Sequence, residues 1–147
     1  MRWRTSRNTR DERGASAVEF ALVVVPLLMV IAGIINFGVV FAQQLALDNA
    51  VRAGARAGVV DTGKNLTTET TNQWDSTAIA KSQTSGFAVT FPTNTGGVGT
   101  TCKGSTYGKN MVVRGEVTSK FLFPWPLPGM GQTITLSSQA EFQCEYQ

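Results

Sequence analysis

One stretch, "FALVVVPLLMVIAGIINFGVVFA" at residues 20–42, constrains this chain more than any other. Its only strongly polar side chain is Asn36, and about 23 residues rising 1.5 Å each give ~35 Å, enough to span a bilayer with some tilt. The apolar core of an ordinary secretory signal is about 7–15 residues, so this run is longer, although "VFA" at its end offers a small-residue cleavage site. Pro26 would break a helix in water, whereas a transmembrane helix tolerates it with a local kink. Gly33 and Gly38 are further soft points. Asn36 has two candidate partners, a neighbouring helix or its own backbone carbonyls.

What flanks the run sets its polarity. Residues 1–14 carry Arg2, Arg4, Arg7, Arg10 and Arg13 against Asp11 and Glu12, five minus two, or +3. Everything after Gly14 holds eight basic and eight acidic side chains and sums to zero. A nucleic-acid-binding domain would spread Lys and Arg over a folded face among aromatics, which nothing after Gly14 does. The cluster therefore reads as a cytoplasmic flank obeying the positive-inside rule. The chain contains no histidine, which removes Ser-His-Asp and Cys-His catalysis along with the commonest metal ligand. With no acidic pair at meaningful spacing and no Gly-rich phosphate loop either, the expectation is a non-enzyme without cofactor or metal.

Beyond the run, "QQLALDNAVRAGARAGVV" at residues 43–60 continues the helix, with Asp48 and Arg52 spaced for an i, i+4 ion pair. Small residues recur at Ala46, Ala50, Gly54 and Gly58. They form a smooth ridge suited to close packing, against either another helix of an assembly or this chain's own globular part. An uninterrupted helix from Ala15 to Val60 would be roughly 70 Å long. "DTGK" at 61–64 looks like a stop. "TETTNQWDSTAIAKSQTSG" at 68–86 reads as a second helix ended by Gly86, with Trp74, Ala78 and Ile79 facing inward.

Strand candidates follow at 87–91 ("FAVTF"), 111–121 ("MVVRGEVTSKF") and 132–146 ("QTITLSSQAEFQCEY"). Residues 92–110 are loop by composition. "LFPWPLPGMG" at 122–131 forces a turn, with Trp125 as a packing plug. Cys102 and Cys144, an even pair in the exported part, suggest one disulfide, the alternative being two buried thiols. Closing a loop of about 43 residues would stabilise the fold by ~4 kcal/mol on the chain-entropy argument. "NLT" at 65–67 is formally a glycosylation sequon, a pattern short enough to arise by chance. The expected fold class is α+β. A basic leader (1–14) precedes a transmembrane helix (15–42), an amphipathic continuation (43–60) and an extracytoplasmic head (61–147) with a small antiparallel sheet and a second short helix.

Glu19 stands at the mouth of the apolar run, where a carboxylate is costly and marks either a function or a shallow position. Five residues earlier comes Gly14, then Ala15. A secretory cleavage site follows the apolar segment, whereas Gly14–Ala15 precedes it. Cutting there would remove the charged tip, leave the anchor, and create an amine at Ala15 four residues before Glu19. "RDERGASAVEFALVVVPLLMVIAGIINFG…QQLALDNAVRAGARAG" resembles the N-terminus of TadE-like proteins, the minor pseudopilins of the tight-adherence (Flp-type) pilus system. The likeness is dense over residues 10–58 and looser at 119–146, with little family signal at 61–109.

The resemblance implies a pilin-like fold and a role in pilus assembly and cell adhesion. It also implies cleavage between Gly14 and Ala15 by a prepilin peptidase, with Glu19 as the acid at the fifth mature position and Phe20 beside it in assembly. Flp pilins have tyrosine after this acid; here Phe20 keeps the aromatic ring and loses the hydroxyl. The implied partners are that peptidase, other pseudopilins and pilin subunits, an inner-membrane assembly platform with a cytoplasmic ATPase, and membrane lipid. The implied location is the bacterial inner membrane, N-terminus cytoplasmic and head extracytoplasmic, with extraction into a pilus as a further step. The competing expectation is an uncleaved single-pass anchor carrying an extracytoplasmic binding or scaffold domain.

Overall fold

A computed structural model describes residues 9–60, 63–93, 97–123 and 131–144, with side chains from Gly14 onward. The element order is α1 (Thr9–Val59), α2 (Leu66–Asp75), α3 (Ala78–Lys81), β1 (Thr84–Thr90), β2 (Asn110–Lys120) and β3 (Thr133–Gln143). The architecture is α+β. The chain divides into two compact units between Ile35 and Asn36.

The first unit holds the N-terminal part of α1, which is helical through Pro26. Val18, Phe20, Leu22, Val23, Leu27, Leu28, Val30 and Ile34 are all exposed. The helix from Gly14 onward contains a window of mean hydropathy 2.7, none of it buried by protein. A helix that is apolar all round and covered by nothing of its own chain suits hydrocarbon rather than water. It is long and apolar enough to cross a membrane, consistent with a single-pass anchor.

The second unit is built on the rest of α1. Its buried residues fall at Asn36, Gln43, Ala46, Leu47, Ala50, Val51, Gly54, Ala55 and Gly58. Steps of three, four and seven put these on one stripe, because a helix turns every 3.6 residues. Against this stripe lies a three-stranded antiparallel sheet in the order β1-β2-β3. β2 is central, pairing with β3 from Asn110↔Gln143 to Lys120↔Thr133 without a break. Strand alternation turns Met111, Val113, Val117 and Ser119 of β2, with Leu136 and Ala140 of β3, into the core. Arg114 and Glu116 stay on the outer face, paired at 2.7 Å.

Several local expectations change. The stretch 68–86 is not one helix. Asn65 caps α2 by accepting a hydrogen bond from the Thr68 N–H at 3.2 Å, and α2 buries Leu66, Thr70 and Trp74. The helix stops at Asp75, where Ser76 back-bonds to the Gln73 carbonyl and Thr77 turns extended. After this break Ala78 and Ile79 face solvent, and Ala80 is the buried residue. Gly86 lies inside β1 rather than ending a helix. Its φ of 70° accommodates the register shift between Ser85 and Ala88, a bulge that a residue with a side chain would strain. Trp74 stacks on Phe87 of β1 with ring centroids 5.2 Å apart, which ties α2 to the sheet edge. Asp48 takes its hydrogen bond from Gln44 at 3.2 Å rather than pairing with Arg52. Trp125 and most of the 122–131 turn lie outside the described residues, as do Asp61 and Thr62.

Candidate functional site

In the second unit, α1 and β2 run antiparallel, and their contacts can be followed level by level. At the lowest level the Asn36 amide donates to the Phe123 carbonyl at 2.8 Å and accepts from the Phe123 N–H at 2.9 Å. One side chain thereby completes both hydrogen bonds of a backbone residue, as a neighbouring strand would. Two turns up, Gln43 is fully buried and donates to the carbonyls of Ser82 (2.7 Å) and Ile79 (3.4 Å). Its carbonyl oxygen accepts from the buried Ser119 hydroxyl. Higher still, Leu47 and Val51 cover Gly115, where an added Cβ would come within 2.9 and 2.8 Å of their methyls.

Next comes Gly54, where a Cβ would collide with the Thr70 hydroxyl and approach its Cβ to 3.2 Å. At the top, a Cβ on Gly58 would lie 2.7 Å from the Met111 methyl and 2.8 Å from Leu66. The small-residue ridge of Ala46, Ala50, Gly54 and Gly58 is therefore occupied by this chain's own sheet and α2. Both glycines allow the close approach that a full-sized side chain would prevent.

Asn36 bonds the Phe123 backbone rather than either partner expected for it, a neighbouring helix or its own helix carbonyls, and the sequence gives no sign of Gln43's partners either. Asn36 stands as a lone amide within the apolar run and Gln43 beside Gln44 just after it, and their partners lie 36 to 87 positions further along the chain. Burial of a polar side chain is tolerated only when its hydrogen bonds are made. Among the described residues, no buried side-chain nitrogen or oxygen lacks a partner.

Cys102 and Cys144 form a disulfide with Cα atoms 5.5 Å apart. It fastens the loop before β2 to the residue after β3, where the Cys144 N–H also donates to the Lys109 carbonyl at 2.8 Å. Around the C-terminal end of α1, Arg52, Arg56, Lys64 and Phe142 line a groove of about 860 Å³. Lys64 pairs with Glu69 at 3.2 Å there. This surface is basic and apolar. Among the described residues, no three of His, Cys, Asp and Glu lie close enough to hold a metal ion.

The remaining residues singled out from sequence sit in the first unit. Gly14, Ala15, Glu19 and Phe20 are all exposed along α1, and nothing lies within 4 Å of where a Gly14 Cβ would be. Ala15 and Glu19 are one helical turn apart, on the same face. The Arg13 side chain lies outside the described residues.

Comparison with known proteins matches residues 14–56 to the TadE-like protein family. No curated protein and no solved structure gives a significant match. The matched segment begins at Gly14, runs through the apolar helix, and ends on the ridge that carries the head. This family points to pilus-associated partners in general. Residues 14–56 are a TadE-like segment, and they direct this chain toward the tight-adherence pilus system.

Proposed function

We propose that this chain is a minor pseudopilin-like subunit of tight-adherence pilus assembly, processed by a prepilin peptidase between Gly14 and Ala15. The observation that carries this is the TadE-like match, which starts on the glycine of the candidate scissile bond and takes in Glu19 and the whole apolar helix. In this reading the Arg-rich leader stays cytoplasmic until it is removed, and the head lies outside the inner membrane. The role is structural: the chain supplies an anchored subunit, and a cytoplasmic ATPase acting through the assembly platform supplies the work.

Glu19 has a definite task here. Cleavage leaves an ammonium at Ala15, at the N-terminal end of α1, where the helix dipole is already positive. The Glu19 carboxylate one turn away, in the same or a neighbouring subunit, offsets that charge where the low dielectric strengthens the pairing. The ridge at Ala46 to Gly58 is taken up by the head, so subunit contacts fall to the exposed apolar length of α1 at residues 15–35. There, pilin subunits and lipid compete for the same surface.

The deciding experiment is the intact mass and N-terminal residue of protein extracted from membranes after coexpression with its peptidase. Ala15 is the expected start. A start at Met1 would leave the chain a permanent anchor for its head, and a start at Gln43 would make the apolar helix a cleaved signal. With processing established, Glu19→Ala should still be cut but should lower recovery of assembled pili by about tenfold, the factor that corresponds to 1.4 kcal/mol.

A further inference from the structure

We propose that the end of the head nearest Asn36 rests in the lipid interface, with Leu122 and Phe123 inserted at the boundary between headgroups and hydrocarbon. The inference builds on the reading of residues 15–35 as the membrane span. Those 21 residues (35 − 15 + 1) rise about 31 Å, which matches the ~30 Å hydrocarbon core of a bilayer. Asn36 is the next residue of the same helix, so it falls at the edge of the hydrocarbon. The paired hydrogen bonds between Asn36 and the Phe123 backbone then bring the segment after β2 to that depth.

The surface at this level is apolar. Phe37 and Phe41 are 62% and 65% exposed, and Leu122 and Phe123 are 47% and 42% exposed. Aromatic side chains gather at the ends of membrane spans because the interface accepts an apolar body beside polar neighbours. The charge distribution agrees with this placement. Among residues 36–42, 117–123 and 131–136 the one charged side chain is Lys120, exposed at the end of β2, and the stretch before β1 that adjoins it through Gln83 adds Lys81, paired with Asp75 at 3.3 Å. A lysine beside apolar surface lays its stem along the hydrocarbon and its ammonium among lipid phosphates, and the nearby Asp75 carboxylate is held in its pair with Lys81. The opposite end of the head has the reverse character, with Lys103, Lys109 and an 81% exposed Tyr107 among Gly, Ser and Thr. The occupant this pattern fits is a phospholipid surface.

The test uses the full chain in phosphatidylcholine vesicles, with Trp3→Phe and Trp125→Phe and one reporter at a time: Leu28→Trp, Leu122→Trp or Tyr107→Trp. Trp74, 3% exposed, remains as a constant background. Lipids brominated at deep or shallow acyl positions act as quenchers. Leu28→Trp should be quenched by deep bromines, and Leu122→Trp by shallow bromines at least about twofold more than Tyr107→Trp, as expected for an interfacial side chain. If Leu28→Trp is quenched but Leu122→Trp behaves like Tyr107→Trp, the inference is overturned while the span stands. If Leu28→Trp is not quenched, the span reading itself fails. A Leu122→Trp emission that is blue-shifted yet unquenched would mean that protein, not lipid, covers the site, which also overturns the proposal. Should Leu122→Trp disturb folding, spin-labelled lipid in bicelles can be used instead to broaden the native Leu122 methyl resonances. Broadening supports the inference, and its absence overturns it.

Discussion

Residues 15–35 and 36–59 belong to one α-helix, yet they follow opposite rules. The first stretch is the more apolar, and its large side chains are exposed. The second carries Asn36, Gln43, Gln44, Asp48, Arg52 and Arg56, and it supplies the spine of the core. Hydropathy therefore ranks the two in the wrong order for burial by protein. What distinguishes them is the width of the apolar surface: all round in one, a single stripe in the other. The lesson extends to polar residues. At Asn36 and Gln43 amides are buried with their hydrogen bonds completed by backbone or hydroxyl groups of the head.

The sharpest test of this contrast is one substitution made in both stretches, with the full chain in detergent unfolded by urea and followed by near-ultraviolet circular dichroism. Leu47→Ala, at a fully buried position over Gly115, should destabilise the head by about 2–5 kcal/mol. Gln43→Leu keeps the approximate volume but strands the Ser82 carbonyl and the Ser119 hydroxyl, and should cost about 2–3 kcal/mol. A smaller loss would mean that water or backbone movement rescues those groups.

Gly54→Ala sets a gain in helix propensity of roughly 1 kcal/mol against a collision with Thr70, a β-branched residue held within α2. Overpacking should win, for a net loss of about 1–2 kcal/mol. Gly58→Ala meets chiefly the adaptable end of Met111, so the two terms should nearly cancel, leaving less than about 1 kcal/mol either way. Smallest of all, Leu28→Ala in the exposed stretch should leave the urea midpoint of the head within about 0.5 kcal/mol of the parent. A large effect there would erase the distinction between the two stretches.

The parts of this molecule that are legible in sequence are those with a local signature. The apolar run announces α1, and the long alternating stretches announce β2 and β3 to within a few residues of their ends. The cysteine pair, open on sequence between a disulfide and two thiols, is a disulfide. What escapes depends on distant partners. The Thr-rich stretch looks like one helix because its amphipathic pattern carries through Ser76 and Thr77. The break there reflects side chains bonding back to the helix and the need to begin β1 at Thr84, opposite Ser119. Ile79 reads as an inward residue on helical spacing, and the break rotates it outward while Ala80 turns in. The ridge from Ala46 to Gly58 is visible as a surface for close packing, but no local pattern says that the sheet of the same chain fills it. Gly14, Ala15 and Glu19 stand out through order alone (basic tip, glycine, acid, hydrocarbon), and the role proposed for them is decided by the N-terminal residue of the membrane-extracted protein.

The antiparallel course of β2 along α1 has a mechanical consequence. Contacts occur at successive levels, from Asn36 with Phe123 through Gln43 with Ser119 to Gly58 with Met111. Tension applied along the helix axis loads these levels together, in shear, rather than opening them one after another like a zipper. Beyond the seam, the Cys102–Cys144 link encloses β2 and β3 in a covalent loop. A tug on α1 that overcame the seam would thus meet a hairpin unable to unravel from its far end, and the head would be dragged as a body before it was unspooled as a chain.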